Sequence, residues 1–205
     1  MSHTEQHMTA EETIRSRRSV RQFQPGVSIP EAELNEILSL AASAPSSWNL
    51  QHWRFLVVTE QANKERLLPI TYNQKQTVDA SAVVVVLGDL QANLVAPTVY
   101  GQATEQIRDL MLGQINSAYE NNPVLARDEA IRNASLAAMQ LMLAAKAKGY
   151  DTVPMGGYDR DALIKELNIP DRYVPVMVIP IGKAAVPGRP TDRLPLEQQV
   201  IRESF

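Results

Sequence analysis

The 205-residue chain has no cysteine, which excludes disulfides, thiolate catalysis and cysteine-held zinc or iron–sulfur centres. Histidine is scarce, with three in all. His3 and His7 fall in a polar N-terminal stretch expected to fray, so His52 is the single core histidine and has no second one with which to build a metal site. No metal centre is expected. Also missing are the G-x-S-x-G nucleophile elbow, the Walker phosphate loop and the G-x-G-x-x-G dinucleotide turn; the nearest glycines, Gly149, Gly156 and Gly157, have the wrong spacing. Hydrolysis and nucleoside-triphosphate chemistry therefore lack apparatus, and an enzyme with this inventory would run its reaction on a bound organic cofactor. With a net charge of −3 there is no basic field to attract nucleic acid. The first ten residues lack the apolar core of a secretory signal. The longest apolar-dominated segment, residues 134–147, carries Gln140 and Lys146 and is too short to span a bilayer. These absences predict a soluble, cytoplasmic protein with neither nucleic acid nor membrane as partner.

At 44% apolar and 21% charged residues, the composition is that of a globular protein able to bury a core, and no repeat or linker divides it. One domain over residues 1–205 is expected. Thr9 with Glu12 reads as a capping box opening a first helix. Ser28 with Glu31, and Pro30 between them, opens a second helix reaching about Ala44. Residues 53–59 read as a strand, residues 60–79 as two short helices, and residues 82–87 as a strand buried on both faces. Residues 173–181 form a third strand whose internal prolines predict irregular or edge pairing. The longest helix is expected over residues 127–148. From Ala134 onward it is apolar nearly all round, a pattern that calls for cover on every face, from within the chain or from a second subunit. Helices and strands without βαβ spacing indicate an α+β sandwich, and the proline-bearing residues 183–205 an extended arm.

Three segments could hold a ligand. Arg15, Arg17, Arg18, Ser19 and Arg21 cluster at a helix end, either as cations complementing the helix dipole or as a phosphate clamp. Pro45, Ser46, Ser47, Asn49 and Gln51 crowd hydrogen-bonding groups into a helix-to-strand turn; local turn preference explains such residues, and so does a flat polar ligand. After Gly149, placed as a helix-ending glycine, Gly156 and Gly157 form either a tight turn or a stretch of backbone able to pass close to a planar ring.

Taken together, Arg17-Arg18-Ser19-Val20-Arg21, Pro45-Ser46-Ser47-Trp48-Asn49-Leu50-Gln51-His52-Trp53, Tyr72-Asn73-Gln74-Lys75-Gln76, Val153-Pro154-Met155-Gly156-Gly157-Tyr158 and Arg193-Leu194-Pro195 occur in an order and spacing that resembles the FMN-dependent nitroreductase family across nearly the whole chain. The resemblance implies a sandwich of a mixed, largely antiparallel sheet with helices on both faces. It also implies a homodimer with two FMN sites at the subunit interface and exchanged C-terminal arms. By the same resemblance, Arg17, Ser19 and Arg193 meet the ribityl phosphate, with Arg18 contributing, and Arg21 is a cation near the flavin pyrimidine edge. Pro45, Ser46, Ser47 and Asn49 reach the partner's flavin, Asn73 bonds the ring edge, and the backbone at Gly156 and Gly157 addresses N5. Gln76 and Met155 complete the cofactor set. Gln76 replaces a lysine found in many relatives, and His52 a proline. The implied activity is hydride transfer from NAD(P)H through FMN to nitroaromatic or quinone acceptors by a ping-pong cycle, with no titrating catalytic residue. The alternatives are a flavin-storing or redox-sensing protein without turnover, or another flavin reaction on the same scaffold, such as dehalogenation or flavin breakdown. Residues 101–126 carry no motif and are expected to form helices over the cofactor's open face.

Overall fold

A computed structural model describes residues 8–205, so His3 and His7 lie outside the described residues. Thr9 and Glu12 form the expected reciprocal capping box at the start of α1 (Ala10–Ser16). The second helix, α2 (Glu31–Ala42), begins directly after Pro30, which is itself the N-cap; Ser28 is not. Proline suits that boundary because its φ is already fixed and the N–H it lacks would have no helical partner there.

Four strands, β1 (Trp53–Val58), β2 (Ala82–Asp89), β3 (Asp151–Thr152) and β4 (Tyr173–Gly182), make one open sheet in the order β1-β2-β4-β3. Every ladder is antiparallel. The parallel component of the expected mixed, largely antiparallel sheet is, among the described residues, the bridge between Ser19 and Thr152. As its unbroken valines predict, β2 is central and buried throughout, with Val84 and Val86 facing one core and Val83, Val85 and Leu87 the other. The prolines of β4 do not force it to the edge. Val178 exchanges both its backbone bonds with Met155, so Pro180, two residues on, also turns its nitrogen away from β2. Pro175 lies at a register shift against β2. Both prolines thus avoid breaking the β2 ladder.

One face of the sheet is covered by α2 and by α7 (Pro123–Ala147). The other is covered by α3 (Gln61–Ile70) and α8 (Arg160–Glu166), with α4 (Gln76–Asp79) leading into β2. Two helices, α5 (Ala96–Val99) and α6 (Glu105–Tyr119), build a third core around Leu50, Ala96, Ile115 and Tyr119. The long helix starts four residues before the expected Arg127, because Asn122 caps the Leu125 N–H and Pro123 tolerates the first turn. It ends as expected, with Gly149 in the left-handed region at φ +75. Among the described residues no helix is long and apolar enough to cross a membrane.

The C-terminal segment starts pinned and then runs free of the core. Lys183 and Ala185 bond the backbone of Gln24 and Gln22, and Gly188 passes against Arg18 and Ser19. From Arg189 to Phe205 it is exposed, with one short turn at Leu196–Gln198, and it carries exposed Leu194, Leu196, Ile201 and Phe205.

The helix α7 lies on the sheet through small residues, with Ala130, Ala134, Ala137 and Ala138 fully buried. Opposite them, a Cβ on Gly88 would stand 2.7 Å from the Ala130 carbonyl oxygen. Backbone on both sides leaves no soft neighbour to yield, so Gly88→Ala should cost about 1–3 kcal/mol. In contrast, a Cβ on Gly113 in α6 meets nothing within 4 Å, and Gly113→Ala should stabilise by about 0.4–1 kcal/mol. Chemical denaturation of the two variants checks the opposite signs.

Candidate functional site

The arginine cluster leaves α1 in an extended segment that lies along β3, where Ser19 bridges Thr152 and the Val20 N–H bonds the Thr152 carbonyl. Arg18 turns back to donate to the carbonyls of Arg15 and Arg17, so it caps the end of α1. Arg17 has the opposite fate: its Nη1 is buried and has no hydrogen-bond partner among the described residues. Burial, with the charges of Arg18 and Arg193 adding to it, pushes the Arg17 guanidinium below its ordinary range. Arg193 itself is held by Thr191 and by the Asp192 carbonyl. Beside this cluster, a cavity of about 400 Å³ opens between Ser19, Arg21 and Gln22 on one side and Val186, Gly188 and Arg189 on the other.

The loop after β3 continues from this corner. Met155 is buried and bridged to Val178, whereas Gly156 and Gly157 are exposed, with no atom within 4 Å of where a Cβ would stand on either. Gln74 donates to the Gly157 carbonyl at 3.2 Å, tying residues 72–76 to this loop. Asn73 is exposed in the left-handed conformation at φ 57. Gln76 is turned inward: it is 6% exposed, and its amide donates to Gln74 and to the Met155 sulfur. The structure therefore gathers Arg17, Ser19, Arg21, Asn73, Gln76, Met155, Gly156, Gly157 and Arg193 into one region.

Pro45, Ser46, Ser47 and Asn49 are not in it. Their turn leads into Trp53, which pairs with Gly88, whereas Thr152 pairs with Ile181 and through it with Ala82. Six residues of β2 separate those rows, about 20 Å at the strand rise of about 3.3 Å, and β1 and β3 are the opposite edges of the sheet. The two halves of the expected site occupy diagonally opposed corners of the chain.

This second corner is held by residues that sequence reasoning passed over. Trp48, Asn49 and Gln51 all have positive φ (50, 55 and 49) without being glycine, at a cost of about 1–2 kcal/mol each for Trp48 and Gln51 and less for Asn49, since asparagine tolerates this region. Ser47 is fixed from both ends: its N–H donates to Asn133 Oδ1 at 2.9 Å and its hydroxyl to Glu129 Oε2 at 2.5 Å. Both of its donors are therefore used within the chain, while Pro45 and Asn49 stay exposed and Ser46 half-buried. Burial alone would raise the Glu129 pKa; hydrogen bonds from Ser47 and Asn133, with the charge of Arg132, outweigh it and hold the carboxyl below its usual range. The signal for these anchors was available in the sequence, since Glu129 and Asn133 lie four apart on the same stripe as Ala130, Ala134 and Ala137. Next to them, His52 is fully buried with Nε2 2.7 Å from the Tyr119 hydroxyl. Asp89, whose N–H bonds the His52 carbonyl, takes a two-pronged pair from Arg172, both contacts 2.7 Å. Among the described residues no cluster of potential metal ligands occurs.

A model of the "Nitroreductase family" matches residues 14–183, ending one residue past β4. The chain is 50% identical over 193 residues to the candidate NAD(P)H nitroreductase YodC of Bacillus subtilis, covering 91% of this chain and 95% of YodC. It is 41% identical over 180 residues to the CLA biosynthesis enone reductase of Lactiplantibacillus plantarum, covering 83% of each. Among solved structures, a protein of Exiguobacterium sibiricum determined in complex with FMN superposes with a TM-score of 0.90 at 38% identity, over 96% of this chain and 98% of that one.

His52 gives the corner a pH dependence. Burial lowers its pKa to about 4, against the opposing pull of Glu129 and Asp89. Above about pH 6.5 the ring is neutral in both folded and unfolded chains. As pH falls from there toward 4, the unfolded chain takes up the proton first, so the folded state loses stability by up to about 1.4 kcal/mol per pH unit. Between pH 7 and 5, therefore, the wild type should lose more melting temperature than His52→Gln; parallel profiles would remove His52 as the source.

Proposed function

This chain belongs to the nitroreductase family, and on that premise we propose that it is an FMN-dependent oxidoreductase drawing electrons from NAD(P)H. The observation that carries the reading is the buried, unpartnered Nη1 of Arg17, with Arg18 and Arg193 adding like charge around it. A guanidinium nitrogen buried beside other cations is unfavourable until an anion arrives, and a phosphate ester matches its donors. The open space at Gly156 and Gly157 fits the rest of the group, because it lets a flat ring lie against the backbone.

On this reading Arg17, Ser19 and Arg193 hold the phosphate, and Arg18, anchored to the end of α1, contributes charge more than hydrogen bonds. Arg21 supplies the cation near the pyrimidine edge. Asn73 reaches the ring edge, and Met155, Gly156 and Gly157 line it, while Gln76 shapes the wall from behind by bonding Gln74. Pro45, Ser46 and Asn49 come from a second copy of the chain, because their own subunit holds them at the far corner of its sheet. The functional unit is then a homodimer. Each subunit is one domain; the arm, residues 183–205, stays on its own chain as far as Arg193 and then crosses to the partner, which covers Leu194, Leu196, Ile201 and Phe205. Bound FMN supplies hydride transfer from NAD(P)H to a nitroaromatic or a quinone, donor and acceptor using one face in turn. The identity to an enone reductase adds conjugated enones as a third acceptor class.

Purified protein is expected to show flavin absorption. Loss of one charge-assisted contact of about 1.5–3 kcal/mol should make Arg17→Ala bind FMN roughly 10- to 100-fold more weakly in titrations of apoprotein. Unchanged affinity would remove Arg17 from the phosphate site. If FMN-loaded protein failed to oxidise NAD(P)H with a nitroaromatic, a quinone and an enone alike, a flavin-storage role would replace the reductase.

A further inference from the structure

We infer that Glu129 and Asn133 on α7 are positioning residues for the cofactor: they lock the turn over residues 46–51 in the backbone shape that presents Ser46 and Asn49 to the flavin of the second subunit. The inference rests on the FMN reading of the site. Its basis is a closed ring of hydrogen bonds. Ser47 N–H donates to Asn133 Oδ1 at 2.9 Å, the Ser47 hydroxyl donates to Glu129 Oε2, and Asn133 Nδ2 donates to that same Oε2 at 2.8 Å. Asn133 Nδ2 also donates to the Glu129 carbonyl at 2.7 Å, which fixes which way its amide points. Arg132 engages the other Glu129 oxygen from the helix surface.

The arrangement is costly for a fold and useful for a site. Glu129 is 6% exposed and Asn133 2%, at positions where the next turns of the same stripe use alanine. Burying a carboxylate and an amide gains little stability over well-packed apolar residues. What it supplies is direction. Trp48, Asn49 and Gln51 are left-handed, a shape that asparagine tolerates but that Trp48 and Gln51 do not favour and keep only when surrounding contacts fix it. Both donors of Ser47 are consumed by the ring, and the Ser46 hydroxyl accepts the Gln51 N–H at 3.0 Å, which closes the turn. Asn49 is left exposed at the tip. Ser47, which the family resemblance assigns to the flavin, is on this account the fastener rather than the contact.

The test is a double-mutant cycle read by FMN titration of apoprotein, with circular dichroism and melting temperature recorded for every variant. Asn49→Ala alone and Asn133→Ala alone should each weaken FMN binding, the latter by roughly 10-fold or more although it is remote from the cofactor. The pair Asn49→Ala with Asn133→Ala should bind no more weakly than Asn133→Ala alone, because a turn already out of place gains nothing from Asn49. Glu129→Gln, which keeps an acceptor for the Ser47 hydroxyl, should retain more affinity than Glu129→Ala. If Asn133→Ala does not fold, Ser47→Ala takes its place in the cycle. A lowered melting temperature with unchanged FMN affinity, or additive losses in the pair, would overturn the positioning role while leaving the FMN reading intact. Absence of FMN binding by the wild type would overturn both.

Discussion

The close seat of α7 on β2 is the contact on which the placement of the other elements depends. The Ala130 carbonyl approaches Gly88 so nearly that no side chain fits between them, and the alanine stripe that continues along the helix keeps the contact over its length. Interiors packed at this density transmit position faithfully. One residue before Ala130 and three after it stand Glu129 and Asn133, which hold the turn at Ser47. Gly88 in its turn pairs with Trp53, where that turn becomes β1. A single backbone contact thus places both the sheet's central strand and the polar anchors of one half of the proposed site.

The other half is built from the opposite edge. Ser19 runs beside the short β3, the loop after it carries Gly156 and Gly157, and Gln74 ties that loop to residues 72–76. An antiparallel sheet of this length cannot bring its diagonal corners together, which is why the proposed site, needing both, draws on two copies. The proposed pairing would also cover the exposed apolar residues of the arm and Leu136 and Met139 on the outer side of α7, which are 45% and 40% exposed.

Elements whose signals are local were legible in the sequence. The capping box at Thr9, the doubly buried valines of β2 and the terminating Gly149 depend on neighbours in sequence, and each is present. Boundaries shifted where proline decides: Pro30 displaced Ser28 as a cap, and Pro123 started α7 four residues early. Side-chain direction was not legible. Arg17 and Arg18 are adjacent and chemically identical, yet Arg18 turns back on α1 while Arg17 buries its Nη1 without a partner among the described residues. Likewise Gln76 faces Met155 and Ser47 faces α7, because partners distant in sequence claim their polar atoms. No spacing rule encodes such long-range competition. The acceptor is illegible for a related reason, since α6 and its surroundings present scattered groups with no shared chemistry.

The central claim, that one cofactor site draws on two chains, is tested most directly by subunit complementation. Differently tagged Arg17→Ala and Asn49→Ala chains are co-expressed, and the mixed dimer carrying both tags is titrated with FMN. If the halves come from different chains, one site of the mixed dimer receives both defects and the other neither. The account therefore predicts one FMN per dimer bound with wild-type affinity. Two weakened sites and none at wild-type affinity would show that each chain builds its own site, and would contradict it.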